Sequence, residues 1–80
     1  DCTEAIRLDP NYAIAYITRG GIYSDKGEFG KAIADYTEAI RLDPNYAWAY
    51  KYRGVAYEEI GEKAKAAANF AKAKQLGLEP

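Results

Sequence analysis

Catalysis needs a nucleophile, a base or a metal cage, and this chain holds few residues that supply one. Its 80 residues include no histidine, one cysteine (Cys2) and one serine (Ser24). The side chain that most often acts as general base or metal ligand near neutral pH is therefore missing. Without it, neither hydroxyl nor thiol can be built into a triad. No cluster has metal-ligand spacing. The stretch "GGIYSDKGEFGK" at 20–31 is glycine-rich. It lacks the Gly-Lys-Ser/Thr ending of a phosphate-cradling loop, so its glycines read as turn and packing residues. Glu58 and Glu59 are adjacent carboxylates, but neighbours on a helix point about 100° apart and read as solvated surface. The expectation is a protein with no catalytic residues, no metal and no cofactor: not an enzyme.

What the chain does have is aromatic, and it is repeated. "TEAIRLDPNYA" at 3–13 returns unchanged at 37–47, thirty-four positions later. Aligning 1–20 with 35–54 gives sixteen identities in twenty. Self-similarity at such a period marks stacked units, each burying its apolar face only against its neighbours. Tyr16, Gly20 and Tyr23 fall on one stripe of a helix expected over Ala13–Lys26, which Gly27 ends by adopting a left-handed conformation. Phe29, Ile33, Tyr36, Ala39 and Ile40 make the stripe of a second helix, from about Phe29 to Leu42. It closes at Asp43-Pro44, because a residue before proline is pushed out of the α region. Asn45 is the candidate cap of the next helix, and the unit returns over Ala47–Leu76.

These residues resemble the tetratricopeptide repeat family, a 34-residue two-helix unit with the pattern W-x2-L-G-x2-Y, A-x3-F, P. The first full unit carries Tyr16-x2-Arg19-Gly20-x2-Tyr23, Ala32-x3-Tyr36 and Pro44. The second carries Tyr50-x2-Arg53-Gly54-x2-Tyr57 and Ala66-x3-Phe70. The resemblance implies an all-α, right-handed α-solenoid of antiparallel helix pairs, forming one domain over 1–80. Residues 1–12 would be the second half of a unit, 13–46 a full unit, and 47–80 a full unit with a degenerate capping helix. Gly20, Gly54, Ala32 and Ala66 are small where two helices must approach, and tyrosines fill the space between them. Cys2 aligns with Tyr36, which makes it a small buried hydrophobe rather than a reactive thiol.

Two departures from the family pattern stand out. Arginine replaces the usual leucine at 19 and 53, and an arginine facing a helix seam needs a partner. Asp35 is the candidate, with Asp1 one unit earlier, giving an expected Arg53–Asp35 link between adjacent units. The alternative is an arginine that snorkels to solvent along its apolar stem. The second departure is the last helix, where Lys63 stands for Phe29 and Lys74 for Ile40. With Lys65 and Lys72 it is locally basic, which reads as the polar outer face of a terminal repeat rather than a nucleic-acid patch.

Eleven basic and twelve acidic side chains leave a net charge of −1, so no global field draws the chain to nucleic acid or an anionic membrane. No apolar run approaches the ~20 residues that span a bilayer. A lone cysteine fits a reducing compartment, so the cytoplasm is the expected location. The chain opens on "DCTEAIRLDP" without an initiator methionine and is expected to be a piece of something longer, from which an upstream targeting segment would be lost.

In the family the first helix of each pair lines the concave side. On that reading Ile14, Ile17, Gly21 and Ser24 face the groove from one unit, and Trp48, Lys51, Tyr52, Val55 and Glu58 from the next. Asn11, Tyr12, Asn45 and Tyr46 join them from the turns. The expected partner-binding set is Tyr12, Ile14, Ile17, Tyr46, Trp48, Lys51, Tyr52 and Val55. Trp48 has a bland alternative, packing on Ile14 and Ile17 as extended core. The family's clamp for a C-terminal carboxylate needs asparagine and basic residues where Gly21 and Val55 stand, so a ligand held by apolar contact is expected. Asp25, Glu58 and Glu59 would favour a basic flank. The leading function is a non-enzymatic scaffold for a peptide or partner protein. One alternative is a self-association module that stacks end to end or swaps helices through its half-unit. A weaker one is an RNA-binding helical repeat, against which the near-neutral charge argues.

Overall fold

The computed structural model describes residues 11–77. They form four helices, α1 (Asn11–Asp25), α2 (Phe29–Leu42), α3 (Ala47–Glu59) and α4 (Lys63–Gln75). No strand occurs among the described residues. Asp1, Cys2 and the rest of 1–10 lie outside them, so the expected half-unit and the buried slot for Cys2 are not described. α1 packs on α2, α2 on α3 and α3 on α4, while α1 also approaches α3. The first helix of each pair thus lies beside its counterpart, and the body measures 36 × 28 × 16 Å.

Each hairpin turns on one glycine. Gly27 sits at φ 80° and its equivalent Gly61 at φ 84°, in the left-handed region where a Cβ is penalised. The Glu28 N–H donates to the Tyr23 carbonyl at 2.8 Å, and Glu62 repeats the bond to Tyr57 at 2.9 Å. That six-to-one bond satisfies helix-end carbonyls and reverses the chain within three residues. At the junction between pairs, Asp43 leaves the α region at φ −143°, as expected for a residue held before proline.

One local expectation fails here. Asn45 does not cap α3. Tyr46 occupies the cap position without a side-chain bond, and the Asn45 backbone N–H instead donates to the Asp43 carboxylate at 3.2 Å. The Asp43 side chain reaches two residues on and builds the turn, which leaves the asparagine side chain no helix end to serve.

The core is built from alanines. Ala13, Ala39 and Ala49 form one buried cluster, against which Tyr16, Ile17, Ile40, Leu42 and Tyr46 pack. Ala32, Tyr36 and Ala56 form a second, flanked by Ile17, Tyr23, Phe29 and Ile33. Small side chains at the contact points let the helices approach, and half-buried aromatics close the gaps around them. Gly20 is the extreme case: a Cβ there would lie 2.6 Å from Cε1 of Tyr36. α4 buries only Ala66, Asn69 and Ala73, and its lysines point outward.

Candidate functional site: an aromatic-walled depression between α1 and α3

Arg19 is held within its own unit. Its Nε and Nη2 donate to the two carboxylate oxygens of Asp35 at 2.8 and 2.7 Å. Asp35 is 5% exposed, whereas the Arg19 side chain is 58% exposed. The guanidinium also lies 5.4 Å from the Tyr16 ring centroid and 5.9 Å from that of Tyr23. The carboxylate holds the Arg19 proton more firmly than usual, with a smaller push from the two tyrosines.

The expected Arg53–Asp35 link is therefore wrong. Asp35 lies sixteen residues after Arg19, and the same step from Arg53 ends at Asn69, whose Oδ1 accepts from Nε at 2.7 Å. Asn69 also donates to the Lys65 carbonyl at 2.7 Å, which leaves this buried amide satisfied. Adjacent pairs are joined by a weaker bond from Nη1 of Arg53 to the Thr37 hydroxyl at 3.3 Å. Antiparallel helices within one hairpin put the sixteen-residue step opposite itself, which a pairing across units does not.

On the other side of α1 lies an open depression of about 470 Å³, lined by Ile17, Thr18, Gly21, Ile22, Ser24, Asp25, Tyr36 and Tyr52. Its aromatic wall continues outward. The Tyr36 ring stacks on Tyr52 with centroids 5.9 Å apart, and Tyr52 stacks on Trp48 at 5.7 Å. Along this ladder exposure climbs from 3% at Tyr36 through 38% at Tyr52 to 43% at Trp48. The Lys51 ammonium sits 5.0 Å from the Trp48 ring. Trp48 is thus stacked on α3 itself and open to solvent, not sealed beneath Ile14 and Ile17.

The residues expected at a groove fall into three groups. Ile17 and Tyr52 line the depression together with Gly21 and Ser24. Trp48 and Lys51 extend it along α3 through the stack. Tyr12, Ile14 and Val55 are exposed outside the lining, while Tyr46 is half-buried against the first alanine cluster. The lining also includes Thr18, Ile22 and Tyr36, which did not figure among the expected groove residues. Tyr36 reads as core because its ring is buried, yet its edge forms part of the wall. Ile22 stands one step past the predicted face, and its apolar side chain next to Gly21 was the available signal.

Burial raises the Tyr36 phenol above its ordinary pKa, and the negative fields of Tyr52, Asp25 and Asp35 add to the effect. A phenol that is harder to ionise in the folded chain contributes stability that is complete below the unfolded value of about 10. That contribution drains as the pH rises through the folded value. Thermal melts at pH 8 and pH 11 should therefore show a lower midpoint at the alkaline end, and a Tyr36→Phe chain should lose part of that drop. No group of acidic, histidine or cysteine residues able to hold a metal occurs among the described residues. No described helix is long and apolar enough to cross a membrane.

Comparison with known proteins points one way. A family model described as TPR repeat matches residues 20–61, just over half the chain. DnaJ homolog subfamily C member 7 from Mus musculus is 44% identical over 36 residues, which are 45% of this chain and 7% of that protein. A crystal structure of MamA superposes with a TM-score of 0.80 at 38% identity, covering 92% of this chain and 43% of that one. A second crystal structure of MamA protein gives 0.79 at 34% identity, covering 98% and 48%. The matches span less than half the length of each of these relatives.

Proposed function

Since this chain belongs to the TPR repeat family, we propose that it is a non-enzymatic scaffold whose ligand, a peptide or an exposed segment of a partner protein, lies across the depression between α1 and α3. The family is in general a protein-interaction scaffold, and the all-α solenoid of helix pairs is the form that role takes. The ladder of Tyr36, Tyr52 and Trp48 carries the finer reading. A stack that begins in the core and ends at 43% exposure presents large, rigid ring area to solvent. Tryptophan and tyrosine give up little conformational entropy on binding and dominate the energetics of many interfaces. Here the rings are already fixed by stacking, so the ligand alone bears the ordering cost.

The test is a pull-down with the 80-residue chain beside its Trp48→Ala variant, followed by affinity measurement on a captured partner. Truncating an exposed anchor should weaken binding by about 2 kcal/mol, roughly 30-fold, with the helical circular dichroism unchanged. Equal affinity for the two chains would remove Trp48 from the site. Sedimentation that shifts with concentration in the absence of partner would favour self-association instead.

A further inference from the structure

Two tyrosines and one aspartate surround the Arg19 guanidinium. Ring centroids lie at 5.4 and 5.9 Å and carboxylate oxygens at 2.7 and 2.8 Å. The depression also brings a carboxylate, Asp25, to a wall formed in part by two tyrosines, Tyr36 and Tyr52, and none of its lining residues is a cation. The Asp25 side chain makes no ion pair and no hydrogen bond to another described residue. It is the last residue of α1, a helix with no basic residue in its final turn. A carboxylate there opposes the negative end of the helix dipole, so local helix stability does not account for it.

We propose that the depression is a subsite for one arginine side chain of the bound peptide. The apolar stem lies along Ile17 and Ile22, beside the Tyr52 ring whose faces are taken up by Tyr36 and Trp48, and the fork turns to the Asp25 carboxylate. Arginine fits better than lysine because its planar fork pairs bidentately with a carboxylate, as Arg19 does with Asp35. The unpaired negative charge in a neutral, aromatic-walled hollow also rejects acidic side chains. At about 470 Å³ the space is of the size that holds a small organic group with its neighbours. The proposal rests on the depression being the peptide site.

A displayed library of random dodecapeptides, panned on the 80-residue chain, tests both levels separately. The expected pool is rich in arginine, and replacing that arginine by citrulline, its neutral isostere, weakens a selected peptide at least 10-fold. Asp25→Asn should cause a similar loss with the arginine peptide and little further loss with the citrulline one. Asp25 is an exposed helix-end residue, so its replacement should leave the melting temperature unchanged or raise it. A pool that depends on Trp48 and Tyr52 but shows no arginine preference overturns the subsite and leaves the groove standing. The same holds for arginine binding that is indifferent to Asp25→Asn. A pool that ignores Trp48 and Tyr52 as well, or an empty one, overturns both.

Discussion

Gly20→Val should cost about 3 kcal/mol of folding stability, out of a total near ~4–12 kcal/mol for a chain of this length. A Cβ at position 20 would stand 2.6 Å from Cε1, 2.9 Å from Cδ1 and 3.1 Å from Cζ of Tyr36. The ring cannot swing aside cheaply, since it is 3% exposed and stacked on Tyr52. Valine adds two further carbons to the same gap. The gain in helix propensity over glycine, a few tenths of a kcal/mol, offsets little of this. Gly30 is the control: a Cβ there meets nothing within 4 Å, so Gly30→Ala should stabilise the chain by about 0.5–1 kcal/mol. Urea denaturation of the two variants should move the midpoint in opposite directions. A Gly20→Val chain as stable as the parent would show that α1 and α2 do not need their close approach.

That close approach is legible in the sequence. The thirty-four-residue period, the glycines at 20 and 54 and the alanines at 32 and 66 together imply helix pairs in tight contact, and the helices lie where the pattern put them. Boundaries drifted by only a residue or two, because helix ends depend on turn geometry. At Asp43 the side chain took over the turn from Asn45. The depression was less legible. Helical spacing placed Ile17, Gly21 and Ser24 on one face, but it says nothing of how a ring from α2 emerges between α1 and α3. Tyr36 is conspicuous in the sequence as core and is also wall. One periodic stripe cannot encode both roles, since the second depends on the angle at which the next hairpin stacks.

The Arg–Asp pairing was misplaced for a similar reason, and correcting it supplies the second large effect. Asp35→Ala should lower stability by about 2.5 kcal/mol. It removes both acceptors of a bidentate, charge-assisted pair from a nearly buried site. The loss falls short of the ~3–5 kcal/mol for breaking a fully buried pair, because Arg19 is more than half exposed and can be rehydrated. The chain contains its own control. At the equivalent position Asn69 accepts from Arg53 through one oxygen and spends its amide on a backbone carbonyl. Asp35→Asn should therefore settle into the same geometry and lose only about 1 kcal/mol. A double-mutant cycle between Arg19 and Asp35 should give a coupling of about 1–2 kcal/mol, and one between Arg53 and Asp35 should be additive within ~0.5 kcal/mol. The first coupling should also shrink in high salt, since one partner faces solvent. Coupling to Arg53 instead would mean that the charge holds neighbouring hairpins together rather than closing each on itself. Each repeat would then need the next for its electrostatics as well as for its apolar face.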